Sequence, residues 1–238
     1  MHFSADRARD TAGEPTLAEM TTAAIRTLQR QGDGFVLLVE GGRIDHAHHD
    51  GNARRALEET IAFSDAVAAA DALTSADDTL ILVTADHAHT MHFAGYPLRG
   101  NPILGKVQGI SGEDLGDSEY AIDKHGLPYT TLGYANGPGF TAQADGKRRD
   151  LTHVDTEALD YLQEALVPMG AETHGGDDVG VWARGPGAEA VRGSIEQNVL
   201  YHFIVQATPA LRARLCQANT CNADGVPVDL PKPADFAR

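Results

Sequence analysis

The sequence predicts an α/β fold built on a parallel sheet, and three observations predict it. Residues 35–39 (Phe-Val-Leu-Leu-Val) and 79–84 (Thr-Leu-Ile-Leu-Val-Thr) are short apolar runs of the kind that form strands covered on both faces. A stretch with helical periodicity lies between them, giving the strand–helix–strand order of a βαβ unit. Acidic residues and histidines follow each run directly. They stand at the carboxyl ends of the strands, where open α/β sheets build their sites.

Thr16-Leu17-Ala18-Glu19 reads as a capping box after Pro15. Leu17, Met20, Ala24 and Leu28 then recur at helical spacing, and Gly32 is a helix stop. The buried strand at 35–40 comes next. It ends on Glu40, a carboxylate that is costly in an apolar run unless paired or metal-bound. A long helix from about Asn52 to Ala72 turns Ala53, Leu57, Ile61, Val67 and Ala70 to one side, and the second strand follows it at 79–84. Residues from about 95 to 170 are rich in Gly, Pro and charge, with a strand candidate at 129–135 and a helix candidate at 156–166. That composition predicts an insertion or lid. A strand at 179–183 and a helix at 195–207 follow. His174 precedes the 179–183 strand, so an antiparallel strand or a folded-over loop must bring it to the same edge. The tail from 217 to 238 is turn-rich and is expected to be loosely packed.

A chain of 238 residues suffices for one large α/β domain, or a smaller one with a sizeable insertion. With 42% hydrophobic and 22% charged residues it should bury a core. The net charge of -15 argues against nucleic acid and anionic membrane surfaces as partners. No run approaches the length of a membrane span, and the first residues lack the apolar centre of a signal peptide. Cys216 and Cys221 either close a small disulfide loop, which suits a secreted or periplasmic protein, or are two reduced thiols.

The chemistry is concentrated in three fragments. The first is Val39-Glu40-Gly41-Gly42-Arg43-Ile44-Asp45-His46-Ala47-His48-His49, the second Thr84-Ala85-Asp86-His87-Ala88-His89, and the third Glu172-Thr173-His174-Gly175-Gly176-Asp177-Asp178. Mixed carboxylate and imidazole sets are what zinc takes at a catalytic site, and carboxylate and hydroxyl oxygens are what magnesium takes. Asp45 and His49 are four apart, so one helical turn puts them on one side. Asp86 and His87 follow a buried run in which neither belongs. His174 alone is a weak signal. His89 is better placed to orient a carboxylate ligand than to bind metal itself. His46 faces either a substrate anion or water. The other reading of each fragment is a solvated, histidine-rich loop, and the joint occurrence of all three is what favours a metal-dependent enzyme.

These fragments resemble the alkaline phosphatase family. The matching stretches are VEGGRIDHAHHDGNARRALEE, TADHAHT, GYPLRGNPILG, YANGPG and ETHGGDDV, with EPTLAEM and EQN at either end. Their wording is closest to the animal and marine-bacterial branch. The resemblance implies a three-layer α/β/α sandwich with a mostly parallel sheet, forming the C-terminal portion of that fold as a single domain over 1–238. Residues 105–170 would then be a crown-like insertion. It also implies phosphate monoester hydrolysis with two zinc ions and one magnesium. Asp45, His49 and His174 fall on ligands of the first zinc, Asp86 and His87 on the second, Glu40 on a magnesium ligand, and His46 beside the bound phosphate. The family is normally a homodimer. Glu14 falls where some relatives place a calcium ligand.

The family's nucleophile is a serine in an Asp-Ser-Ala-type motif, and no such motif occurs in this chain. Ser64 and Ser75 lie away from the ligand fragments, and Thr84 and Thr90 only flank them. The expectation is therefore a chain that carries most metal ligands yet is inactive alone, and that exposes apolar surface and a sheet edge. The alternatives are a non-catalytic zinc- or phosphate-binding module, and one half of an enzyme completed by a separate N-terminal half.

Overall fold

In the computed structural model the described residues are 1–109, 120–141, 146–217 and 221. In chain order the elements are α1 (Leu17–Gln29), α2 (Arg43–His49), α3 (Ala53–Leu73), β1 (Ile81–Thr84), β2 (Ala88–His89), β3 (Met91–Phe93), β4 (Leu132–Gly137), β5 (Ala165–Pro168), β6 (His174–Gly175), β7 (Val181–Arg184), α4 (Val199–Ala207) and α5 (Pro209–Gln217). They fall into two compact units, residues 1–70 with 86–178, and 71–85 with 179–238.

In the first unit α1 begins at the predicted capping box. The Glu19 N–H donates to Thr16 Oγ1 at 3.1 Å, and the Thr16 N–H donates to the Glu19 carboxylate at 2.7 Å. Thr21 and Ile25 form its buried face, while Met20, placed on that face by the sequence, is exposed. Helix α3 starts at Asn52, whose Oδ1 accepts the Arg55 N–H at 2.9 Å and whose Nδ2 donates to the Leu159 carbonyl at 2.8 Å. Gln163 Oε1 takes the Ala53 N–H at 2.7 Å. Ala53, Ala56 and Ala66 are the buried apolar residues of α3, and Ile61 points outward, contrary to expectation. Small side chains on this face let α3 lie close to its neighbours: Ala53, Leu132 and Tyr134 make the core, with Leu57, Met91, Leu104 and Ala165 against it.

Two sequence-based expectations for elements do not hold. The segment 35–40 is extended but joins no ladder among the described residues. Its odd-numbered residues are half-buried and its even-numbered ones exposed, Leu38 at 89%. An apolar run becomes a two-sided buried strand only when neighbours take its N–H and C=O groups. Glu40 is likewise exposed, so its carboxylate carries no desolvation cost. Residues 156–166 are turns leading into β5 rather than a helix. Their backbone groups are drawn into tertiary bonds instead: the Leu159 carbonyl to Asn52, and the Gln163 N–H to the Gly51 carbonyl at 3.0 Å.

The sheets are small and mixed, and the fold is α/β in that sense. A mostly parallel sheet does not emerge from the described residues, because a parallel ladder joins β4 to β5 only. The others, β1 with β7, β2 with β6 and β3 with β4, are antiparallel. The stretch 105–170 supplies β4 and β5, and with them Leu132 and Tyr134 of the core.

In the second unit, Arg184 at the end of β7 ties the segment leading to β1. Its guanidinium donates to Asp71 Oδ1 at 2.6 Å and to the Asp71 and Thr74 carbonyls at 3.1 and 3.2 Å. Cys216 and Cys221 are joined as a disulfide, with Cα atoms 5.0 Å apart. The expected loose tail lies outside the described residues apart from Gln217 and Cys221. No described helix is long and apolar enough to cross a membrane.

Two measurements test this account. Replacing Asn52 by Ala removes a buried cap with two bonds and should lower unfolding stability by about 2 kcal/mol in urea melts. Val36 and Leu38 are exposed along an unpaired extended run, the geometry that invites strand association. Static light scattering should show concentration-dependent self-association that a Val36→Glu, Leu38→Lys double variant reduces. A monodisperse monomer of the unmodified chain would contradict this.

Candidate metal centre

Four short elements of the first unit meet at one place. Helix α2 carries Asp45 and His49 one turn apart. His87 follows Asp86 in the turn before β2, which bears His89. Strand β6 crosses β2 antiparallel, in a register that sets His174 opposite His89 and Gly175 opposite Ala88. This crossing requires glycine, since a Cβ at Gly175 would lie 2.6 Å from the His89 carbonyl oxygen.

The result is a convergence of imidazoles on one carboxylate oxygen. Asp45 Oδ1 lies 3.1 Å from His89 Nε2, 3.3 Å from His49 Nε2, 3.4 Å from His174 Nε2 and 3.7 Å from His87 Nε2. The His49 and His174 Nε2 atoms are themselves 3.2 Å apart. The His87 and His174 rings stack at 3.5 Å with 17° between their planes. Asp45, His87 and His174 offer ligand atoms within 4.8 Å of one another, and so do His49, His89 and Glu172.

The hydrogen bonds of the rings decide what this arrangement suits. The Nδ1 of His49 lies 2.5 Å from the Glu172 backbone carbonyl, an atom that can only accept. Nδ1 therefore holds the ring hydrogen, and in the neutral ring Nε2 presents a lone pair toward Asp45 and His174. A lone pair facing a carboxylate oxygen and a third acceptor-capable nitrogen is what a cation resolves. The donor set of one carboxylate and several imidazole nitrogens is the chemistry zinc takes, so the residues fit that ion.

Beneath the cluster, His48 Nδ1 and the Tyr134 hydroxyl are 2.8 Å apart, and the His48 ring stacks on His89 with centroids 4.5 Å apart. Burial lowers the His48 pKa to about 4, helped by neighbouring His89 and opposed by the charges of Glu172 and Asp45. Burial and the Glu172 charge hold the Tyr134 hydroxyl above its ordinary range. His48 is thus a neutral core histidine that backs His89.

Of the residues singled out in the sequence, Asp45, His49, His87 and His174 come together, and His89 touches Asp45 as an orienting residue would. His87 closes on Asp45 and His174 rather than on Asp86 alone. The Asp86 side chain is 90% exposed, with Oδ2 3.5 Å from His87 Nε2, and so reaches the cluster only at its margin. Glu40 lies outside both groups. His46 is exposed, its Nδ1 3.4 Å from an Arg43 nitrogen. Glu172, which opens the third fragment, was given no role by the sequence. Its position two residues before His174 was the signal that could have marked it.

A family profile described as alkaline phosphatase matches residues 1–210. The chain is 44% identical over 207 residues to the tissue-nonspecific alkaline phosphatase isozyme of Gallus gallus, covering 87% of this chain and 37% of that protein. It is 43% identical over 202 residues to an alkaline phosphatase of Gadus morhua, covering 85% and 40%. To the tissue-nonspecific isozyme of Homo sapiens it is 41% identical over 199 residues, covering 84% and 36%. The chain thus spans less than half the length of these relatives.

The buried state of His48 gives a pH prediction for the metal-free chain. Its folded pKa of about 4 lies below the ordinary 6.5, so the unfolded chain binds the proton first. His48 therefore costs nothing above pH 6.5, and stability falls as pH drops from 6.5 toward 4, by about 3 kcal/mol in all. Urea melts in EDTA across this window should show that slope, and His48→Gln should flatten it. Identical slopes would refute the assignment.

Proposed function

The chain belongs to the alkaline phosphatase family, and from that premise we propose that the Asp45-centred cluster is the metal-binding part of a phosphate monoesterase site. The observation that carries the reading is the convergence of four imidazole Nε2 atoms on Asp45 Oδ1. Asp45, His49 and His174 would hold one zinc ion, and Asp86 with His87 a second, their exposed rim leaving an open side for substrate. Glu40 would contribute to a magnesium ion, and His46 would meet the phosphate through water. Bound there, zinc supplies Lewis-acid stabilisation of a phosphoryl oxygen and of a leaving alkoxide. The protein's own part is to fix these donors: α2 holds Asp45 and His49 one turn apart, and the β2–β6 crossing sets His174 beside them.

Several finer statements belong to the same reading. The three-layer α/β/α sandwich with a mostly parallel sheet and a homodimeric assembly are those of the complete family fold. The Cys216–Cys221 disulfide supports an oxidising, secreted or periplasmic setting. This sequence contains no Asp-Ser-Ala stretch, and covalent catalysis needs an activated nucleophile. That observation favours a second reading for the chain by itself: a zinc- or phosphate-binding module without turnover, or a half that requires a separate N-terminal half.

The decisive experiment pairs zinc titration with hydrolysis of p-nitrophenyl phosphate in added zinc and magnesium. We expect stoichiometric zinc binding that Asp45→Asn or His174→Ala weakens about a hundredfold, and no turnover by the chain alone. Absence of zinc binding would sink the metal-centre reading. Turnover that is lost in Asp86→Ala would show instead that a hydroxyl of this chain acts as nucleophile.

A further inference from the structure

We infer that Glu172 is the positioning residue of the cluster and not one of its ligands, an inference that rests on the metal-centre reading above. Glu172 is only 1% exposed. Its Oε1 accepts the Thr90 N–H at 2.6 Å and the Thr90 hydroxyl at 2.7 Å. Its Oε2 lies 2.7 Å from His89 Nδ1. Its backbone N–H donates to the His49 carbonyl at 2.9 Å, and its own carbonyl accepts the His49 Nδ1–H at 2.5 Å. Every polar group of this residue is therefore spent on Thr90, His89 and His49.

Distance alone would let Glu172 serve as a ligand beside His49 and His89. Occupancy argues against it. To bind a cation through Oε2, the oxygen that faces the histidines, the carboxylate would have to give up the His89 Nδ1–H, and His89 would lose the bond that turns its Nε2 to Asp45. Both histidines also turn the same way. Each directs Nδ1 at residue 172 and Nε2 at Asp45, at 3.3 Å for His49 and 3.1 Å for His89. One buried residue thus sets the facing of both rings, and through His89 it braces Asp45. The neighbouring clasp fixes where residue 172 sits: Asn136 Nδ2 donates to Thr173 Oγ1 at 2.8 Å, and the Thr173 N–H donates to Asn136 Oδ1 at 2.9 Å.

Two substitutions separate positioning from ligation. Glu172→Gln can turn its oxygen to the two Thr90 donors and its amide nitrogen to His89 Nδ1, which keeps every side-chain contact but reverses the last, so that His89 accepts there and carries its ring hydrogen on Nε2. Glu172→Ala keeps none. The first readout is the histidine tautomer in long-range proton–nitrogen NMR of the metal-free chain, and the second is zinc affinity by competition with a chromogenic chelator. The ring to read is His89, which the Glu172 side chain holds, since the His49 Nδ1–H bonds the residue-172 backbone carbonyl and should stay a single tautomer throughout. His89 should be a single Nδ1–H tautomer in the unmodified chain and a single Nε2–H tautomer in Glu172→Gln, with zinc affinities differing by less than about fivefold. Glu172→Ala should mix the His89 tautomers and weaken zinc about 10- to 100-fold without changing the number of ions bound. Loss of a zinc ion from Glu172→Gln would overturn the proposal by making Glu172 a ligand. Unmixed tautomers and unchanged affinity in Glu172→Ala would overturn it by making Glu172 inert. If Glu172→Ala does not fold, Thr90→Val replaces it, with a several-fold loss of affinity expected and no change overturning the proposal. Failure of the unmodified chain to bind zinc would instead refute the metal-centre reading, and the tautomers would still decide the role of Glu172.

Discussion

The carboxylate oxygen of Asp45, with four imidazole nitrogens within 3.7 Å, is the constraint around which the first unit is arranged. Neutral imidazoles have one donor each, and His49 has already committed its own to a backbone carbonyl. Such a gathering of lone pairs around a carboxylate is stable only if a cation shares it or the surroundings hold each ring in place. The surroundings do the second part, through Glu172 above and through the His48–Tyr134 pair below.

The packing is organised to the same end. Tyr134 belongs to the core cluster with Ala53 and Leu132, and its hydroxyl bonds His48, whose ring lies under His89. The start of α3, the strand β4 and the histidine shelf are therefore one connected body. Asn52 and Gln163, both buried, bind the head of α3 to the 159–163 turn. Polar residues buried this way contribute specificity as well as stability, since each has a fixed set of partners.

The surface of the first unit has another character. Val36, Leu38, Phe93 and Leu166 are exposed, and the segment 35–40 runs without a ladder among the described residues. The Asp45 cluster stands apart from that run: its geometry depends on β2, β6, α2 and the core, all within the first unit.

How much was legible beforehand follows from the range of the interactions. Helix α1, its capping box and its glycine stop, the span of α3 and the pairing of Asp45 with His49 on one turn are set by neighbours three or four residues apart, and the sequence alone determined them. The residues that gather around Asp45 were legible too, because the fragments that hold Asp45, His49, His87 and His174 all border apolar runs. What tertiary structure decided lies at long separations. The helix expected at 156–166 gave way to bonds with Asn52 and Gly51, more than a hundred residues away. Whether 35–40 was a strand depended on a neighbour that local sequence cannot supply. The role of Glu172 rests on contacts with Thr90, His89 and His49, at separations of 82, 83 and 123 residues. No local periodicity reports such contacts, because a buried carboxylate is recognised only by the donors that the fold brings to it.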